Sequence, residues 1–187
     1  MIRRLRAFFR PAEVSWHVVF LSQLSISLNP QTYAELGIYE GETFNKITAK
    51  RKFAVDISES ALNFIPKDES VIKILGTSED LAQKLQKTGE KIDLLFIDAN
   101  HDSEAVQADF RLLEAHMSPS GVVCFHDTFP KDASFTSSKL CGDAYLAIPA
   151  LQERYPEWHF ITLPIHPGMS IATKKGIKPT WLEPQVI

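Results

Sequence analysis

Two glycines and a glutamate near residue 40 have the spacing of a strand-to-helix turn, in the segment Glu35-x-Gly37-x-x-x-Gly41. Glycine allows backbone angles and a close approach of a ligand that a β-carbon would prevent, and the free amides at a helix start favour a carboxylate or phosphate. Asp56 ends the next apolar run, 19 residues after Gly37. Its carboxylate would accept hydrogen bonds from both hydroxyls of a ribose, or it would cap a helix before Ser58. The spacing predicts a nucleoside site.

The other residues of this turn decide which class of nucleoside ligand fits. A dinucleotide fingerprint requires Gly-x-Gly-x-x-Gly and room for a pyrophosphate, whereas here Tyr39 and Glu40 lie inside the turn. Carboxylates repel pyrophosphate and attract a cation, such as the sulfonium and ammonium groups of S-adenosylmethionine. Thr77 and Ser78 follow the third apolar run, where an adenine ring would reach, or they cap the next helix. A dinucleotide-dependent oxidoreductase of the NAD type and a non-catalytic nucleoside-binding module are the alternatives.

Two further apolar runs end in acidic residues and histidines. Asp98 ends one run, with His101 close behind it, and His126 and Asp127 end the next. Adjacent parallel strands would gather these side chains in one crevice, where oxygen ligands suit Mg²⁺ or another divalent cation. Asp98, His126 and Asp127 are therefore the candidate metal ligands, and the metal would lower the pKa of an acceptor hydroxyl. His101 is the candidate general base, because an imidazole titrates near neutral pH; alternatively it only begins a helix.

Short apolar runs alternate with helical stretches from residue 32 onward, which is typical of an α/β sheet buried on both faces. Strands are predicted at 32–36, 52–57, 71–75, 92–97 and 122–125, followed by a hairpin of 158–165 and 169–174. Helices are predicted at 12–28, 41–50, 58–65, 78–88, 103–116 and 143–154, the last kinked or divided by Pro149. The polar stretch 128–142, with Phe129 and Phe135, is the predicted lid over an acceptor.

Composition limits the kinds of partner. The 187 residues, 44% of them hydrophobic, suit a single domain, 1–187, with an N-terminal basic arm and helix in 1–30. The net charge of -3 gives no general attraction to nucleic acid, and no segment reaches the length of a stable membrane insertion. The arginines of the basic arm are Arg3, Arg4, Arg6 and Arg10. Cys124 and Cys141 make no disulfide framework, so a reducing, cytoplasmic location is expected.

These residues resemble the class I S-adenosylmethionine-dependent methyltransferases, and among them the macrocin and other sugar O-methyltransferases of the family 24 type. The resemblance covers about Tyr33 to Thr128 and the final hairpin, and its motifs are Glu35-Leu-Gly-Ile-Tyr-Glu-Gly41, Val55-Asp56, Ile97-Asp98-Ala-Asn-His101 and the strand that ends in His126-Asp127. It implies a Rossmann-like, doubly wound seven-stranded sheet, mostly parallel with an antiparallel C-terminal hairpin strand. It also implies S-adenosylmethionine as methyl donor, often with a divalent cation.

The expected function is thus metal-assisted O-methylation of a small-molecule hydroxyl, with a sugar suggested by the resemblance alone. His101 is the expected catalytic residue. The candidate cofactor-binding residues are Glu35, Gly37, Tyr39, Gly41, Asp56, Ile57, Thr77, Ser78 and Asp98. Relatives of this type commonly self-associate, so a homo-oligomer is an open expectation.

Overall fold

Strands and helices alternate through residues 15–177, which are the part of the chain that the computed structural model describes. The strands are β1 (Thr32–Leu36), β2 (Arg51–Asp56), β3 (Val71–Leu75), β4 (Ile92–Ile97), β5 (Met117–His126), β6 (Trp158–Leu163) and β7 (Met169–Lys174). The helices are α1 (Trp16–Leu28), α2 (Glu59–Leu62), α3 (Ser78–Thr88), α4 (Ser103–Leu113) and α5 (Ala147–Arg154). The predicted arginine arm and the start of the first predicted helix lie outside the described residues.

The seven strands form one sheet in the order β3-β2-β1-β4-β5-β7-β6. Strands β1 to β5 pair in parallel, whereas β7 runs antiparallel to both of its neighbours, β5 and β6. The predicted Rossmann-like sheet with its antiparallel hairpin strand is confirmed. Because the order reverses on either side of β1, the carboxyl ends of β1 and β4 border the crevice in which open α/β sheets bind ligands.

Alternating side chains of the sheet pack into two hydrophobic cores, one on each face. Phe53 and Phe125 point into the core that also contains Trp158. Tyr33 and Phe96 point into the opposite core, which α1 covers through Leu21. Burial on both faces explains why the strand sequences are apolar without polar alternation. Within residues 15–177, none of the helices combines the length and the apolar character needed to cross a bilayer.

Two of the predicted helices are shorter in the structure because lysines of the sheet bind their carbonyl groups. The helix predicted at 41–50 is wrong: only a 3-10 turn forms at Phe44–Lys46, and Lys52 Nζ donates to the carbonyls of Phe44 and Ile47. The helix predicted at 58–65 is reduced to α2, after which Lys73 Nζ donates to the carbonyl of Leu62. At the end of each short helix an ammonium group thus shares a carbonyl with a backbone amide, since Ile47 also donates to Phe44 and Ile65 to Leu62.

The predicted kink at Pro149 is also wrong. A 3-10 turn at Ala144–Leu146 precedes α5, and Pro149 is the third residue of that helix. Amides of the first helical turn have no intrahelical acceptor, so a proline there removes no hydrogen bond. Pro149 therefore belongs to the start of the helix rather than to a break within it.

Candidate functional site

The turn after β1 packs directly onto the end of β4. Gly37 has a φ of +84°, and a β-carbon at this position would lie 2.2 Å from the carbonyl oxygen of Asp98. Gly41 also has a positive φ, of +71°, and so does Tyr39, of +50°. Left-handed backbone is easy for glycine and costly for most other residues. The positive φ angles explain why the sequence has glycine at residues 37 and 41.

Asp56 holds the same turn from the end of β2. Its Oδ2 accepts the amides of Ile38 at 2.7 Å and Tyr39 at 3.4 Å, and its Oδ1 accepts the amide of Ser58 at 2.8 Å. The bond to Ser58 closes a turn just before α2, but Ser58 itself is the N-cap residue and no side chain caps this helix, so the alternative role of Asp56 as a helix cap is wrong. Each carboxylate oxygen has two lone pairs, so these bonds leave acceptor capacity for a ligand.

Two adjoining cavities lie beside this turn, with volumes of about 580 and 660 Å³. Ile57, Thr77 and Ser78 line the first, and Tyr39 lines the second together with the predicted metal ligands. The residues that line both cavities are Gly37, Asp56, Ala99 and His101. His101, the predicted base, therefore lies where the two cavities meet.

Two of the predicted cofactor-binding residues do not line either cavity. Glu35 lies within β1, where its side chain is buried and accepts a hydrogen bond from the hydroxyl of Tyr33. Gly41 packs against Ile65 and Asn45. Both residues belong to the turn or to the strand before it without lining a cavity. A direct contact with a cofactor remains a prediction for each of them.

Helix caps fix the borders of the first cavity. The Thr77 hydroxyl accepts the amide of Glu79 at the start of α3, which is the capping role that the sequence left open. Asp102 caps α4 in the same way by accepting the amides of Glu104 and Ala105. Satisfied amides at both helix starts stabilise this rim.

Carboxylates and imidazoles from β4, β5 and the following loops form one polar cluster. His101 Nε2 lies 3.0 Å from Asp127 Oδ2 and 3.8 Å from Asp98 Oδ1. His126 Nδ1 lies 3.0 Å from the same Asp98 oxygen. Asp127 has a φ of +58° although it is neither glycine nor exposed. Backbone strain of this kind concentrates at functional sites, and here it directs a carboxylate toward both histidines.

The donor set of this cluster fits a divalent cation. One ligand atom each from Asp98, His101 and Asp127 lie within 4.8 Å of one another. His126, a predicted ligand, has both ring nitrogens engaged, since Nδ1 faces Asp98 and Nε2 lies 3.1 Å from Nδ1 of His17. The structure thus places both histidines beside the two carboxylates, and His126 as a metal ligand remains a prediction.

The charges of the cluster stabilise one another. Burial favours a neutral ring at His126, but Asp98 and Asp127 outweigh burial and raise its pKa to about 10. Contact with Asp98 also raises the pKa of His101, against burial. Burial favours a neutral Asp98, but His126 and His101 outweigh it and lower the pKa of Asp98 to about 2. The protonated imidazole of His126 thus places positive charge beside these carboxylates, as a bound cation would.

His17 of α1 is a neighbour of the site that the sequence did not reveal. Besides its contact with His126, it stacks on Phe96 of β4 with ring centroids 6.4 Å apart. Burial, and after it the charge on His126, lowers the pKa of His17 to about 4. The ring of His17 is therefore neutral, and its Nδ1 can accept a hydrogen bond from Nε2 of His126. No motif spacing connects residue 17 with residue 126, so only the packing of α1 identifies this pair.

The segment 128–142 contacts the site through its last residues rather than through its aromatic side chains. The carbonyl of Leu140 is hydrogen-bonded to Nδ1 of His101, and Ser138 lines the first cavity. Phe129 and Phe135 lie against the turn of the β6–β7 hairpin, where the Phe129 amide donates to Pro167 and the Phe135 ring contacts His166. The role expected of the two phenylalanines in covering an acceptor is therefore not seen in this structure.

The buried Glu35 gives a prediction for the pH dependence of stability. Burial raises its pKa from 4.5 to about 8. The folded protein then binds more protons than the unfolded chain between these values, so its stability falls as the pH rises through this window. Glu35→Gln removes the effect, and its free energy of unfolding relative to wild type is expected to increase by on the order of 2 kcal/mol or more from about pH 5 to about pH 8. Urea unfolding of both proteins at the two pH values measures this difference.

Glu42→Gln is the matched control, because Glu42 is exposed. Its difference from wild type should be the same at both pH values. A Glu35→Gln difference that also stays constant would contradict a proton held on Glu35 in the folded state.

Comparisons with known proteins agree with this architecture. A family model described as "Methyltransferase domain" matches residues 34–128. Among solved structures, the chain is similar to an O-methyltransferase from Bacillus cereus in complex with SAH, with 19% identity, a TM-score of 0.71 and coverage of 88% of this chain and 84% of that one. The SAH-bound methyltransferase PaMTH1 of Podospora anserina has 18% identity, a TM-score of 0.66 and coverage of 85% and 78%.

A third similar structure is the O-methyltransferase TomG of Streptomyces achromogenes in complex with SAM, with 15% identity, a TM-score of 0.64 and coverage of 86% and 80%. A sequence search among curated proteins gave no match. Likeness at these identities shows the fold alone, whereas the family model spans just over half of the chain and does not favour the oxidoreductase alternative. The chain belongs to the methyltransferase-domain family.

Proposed function

We propose that the protein transfers a methyl group from S-adenosylmethionine to a hydroxyl of a small-molecule acceptor. The observation that carries this proposal is the position of His101 between two adjoining cavities, one beside the predicted nucleoside-binding residues and one beside the two carboxylates. A donor and an acceptor bound in the two cavities would meet at this imidazole, and alignment of the reacting groups is the main task in such a transfer.

The first cavity fits the adenosyl donor. Val55, Ile57 and Leu112 give it apolar walls, and Asp56 offers carboxylate oxygens to ribose hydroxyls. Within residues 15–177, neither cavity is lined by a lysine or an arginine. A pyrophosphate would find no cationic side chain here, whereas a sulfonium would be stabilised by the acidic groups around it.

The second cavity supports the choice of a hydroxyl acceptor. Its wall contains Glu40, Ser58 and Ser60, which offer hydrogen bonds to a compound with several hydroxyl groups. We propose a sugar or sugar-like polyol as the acceptor on this basis and on the motif resemblance. The aromatic ring of Phe64 also lines this cavity and would cover one face of such a ring.

His101 accepts the proton in the proposed reaction. Its Nδ1 is positioned to donate to the carbonyl of Leu140, which leaves Nε2 as the basic nitrogen. The acceptor oxygen forms a bond to the methyl carbon as the carbon–sulfur bond breaks, and the hydroxyl proton moves to Nε2 of His101. The products are a methyl ether and S-adenosylhomocysteine.

Asp98 and Asp127 would hold the divalent cation, because carboxylate oxygens are the ligands that Mg²⁺ prefers. When bound, the cation would lower the pKa of the acceptor hydroxyl. His126 would orient Asp98 through its Nδ1, and its own position is fixed by His17.

A screen with radiolabelled S-adenosylmethionine tests the proposed function. Purified protein would be incubated with hydroxyl, amine and thiol acceptors, including sugars, with Mg²⁺ or with a chelator. We expect label in hydroxyl compounds and less product after chelation. Label confined to amines or thiols would contradict O-methylation. Equal amounts of product with Mg²⁺ and with the chelator would contradict a role for the cation in the reaction.

A further inference from the structure

We propose that Asp109 recognises the exocyclic amino group of the adenine ring and makes the first cavity selective for adenine over 6-oxopurines. This rests on the proposed function, in which the first cavity holds the adenosyl donor. Asp109 was not identified from the sequence, because it lies in the middle of α4, away from every strand end.

The position of Asp109 is set by one hydrogen bond. Ser78 Oγ, at the start of α3, donates to Asp109 Oδ1 at 2.6 Å. Among the residues that the structure describes, none donates a hydrogen bond to Oδ2. The carboxylate is therefore fixed through one oxygen and has the other available for a donor from a ligand.

The surroundings of Asp109 suit a purine ring. The other residues of α4 that line the first cavity are Ala105, Ala108 and Leu112, so Asp109 is the single polar side chain that this helix contributes there. Ile57, which directly follows β2, adds a further apolar wall. An apolar wall that carries one carboxylate favours a heterocycle with a hydrogen-bond donor at its edge.

Partial burial of Asp109 agrees with a role in accepting a donor from a ligand. Burial raises the pKa of this carboxyl, and the bond from Ser78 offsets it only in part. A second hydrogen-bond donor would restore the solvation that the carboxylate loses in the cavity. The amino group of adenine is such a donor, whereas a 6-oxopurine presents a carbonyl oxygen at the same position and would be repelled.

A purely structural role makes a different prediction. If the bond between Ser78 and Asp109 only joins α3 to α4, loss of the carboxylate would weaken every ligand of the cavity by the same factor. If Asp109 reads the base, the loss would change the ratio of affinities between adenine and hypoxanthine. The ratio thus separates the two roles.

Isothermal titration calorimetry with S-adenosylhomocysteine and S-inosylhomocysteine measures this ratio. We expect wild type to prefer the adenine ligand by about 10- to 100-fold, which is the worth of one charge-assisted hydrogen bond. Asp109→Asn has nearly the same shape, and its amide can donate to the oxo group, so the preference should disappear. Glu104→Gln is the matched control, because Glu104 is an exposed acid of the same helix that lines neither cavity and should leave the ratio unchanged.

Equal weakening of both ligands by Asp109→Asn, or a wild-type protein without preference, would overturn the assignment of Asp109 alone. A folded wild-type protein that binds neither ligand would overturn the proposed function and this inference together. Thermal unfolding of each variant verifies that the titrated protein is folded.

Discussion

Replacing His101 by alanine is expected to slow methyl transfer by about 10²- to 10⁴-fold, the range that a general base contributes. The affinity for S-adenosylmethionine should change little, because in the proposed complex Asp56 and the apolar walls supply most of the contacts to the donor. The backbone at this position should keep its place, since the carbonyl of residue 101 accepts the amide of Asp143 whatever the side chain. Initial rates with a labelled donor and calorimetric affinities measure the two quantities separately.

His159→Ala is the matched control for this variant, because His159 is an exposed histidine of β6 and lines neither cavity. It should transfer methyl groups at the wild-type rate. The pH profile gives a second readout: the decline of the rate in acid, where the base is protonated, should be lost in His101→Ala. An unchanged rate in His101→Ala would remove this residue from the mechanism.

Replacing Asp56 by alanine is expected to weaken the binding of S-adenosylmethionine by about 10²-fold or more. The carboxylate would accept a hydrogen bond from ribose at the position that its backbone donors leave free, and a bond to a charged acceptor is worth about 1.5 to 3 kcal/mol. Loss of the bonds to Ile38 and Ser58 would also loosen the turn that forms the cavity wall. Calorimetric titration of the variant with S-adenosylmethionine measures the effect.

Asp93 offers a matched control for Asp56. Its Oδ2 accepts the amides of Gln31 and Thr32 at 2.9 and 3.0 Å, and it lines neither cavity. Asp93→Ala thus loses a comparable set of backbone bonds and should be destabilised without losing affinity for the donor. If both variants bind S-adenosylmethionine as wild type does, Asp56 has no part in ribose binding.

The strands were predictable because a sheet buried on both faces requires uninterrupted apolar runs. The helices were less predictable where tertiary contacts compete with local preference. At residues 41–50 the apolar spacing favours a helix, but Lys52 of β2 reaches back to the carbonyls of Phe44 and Ile47. Nothing in the local pattern shows that a lysine from a buried strand would take these acceptors.

The candidate site was predictable where its residues follow strand ends, since a parallel sheet brings those ends to one edge. Asp56, Asp98 and His101 are of this kind. Glu35 differs because it lies inside β1, all of whose residues are buried, and its side chain points to Tyr33 instead of a cavity. His17 belongs to a helix whose packing on the sheet sets its distance from the site, and helical spacing does not specify that packing.

Calorimetric titration of the wild-type protein with S-adenosylmethionine, and separately with NAD, tests the proposed adenosyl site beside β1 and β2 most directly. We expect saturable binding of one S-adenosylmethionine per chain and no heat of binding with NAD. Heat of binding with NAD alone, from a protein shown to be folded by its thermal transition, would contradict the assignment of this site.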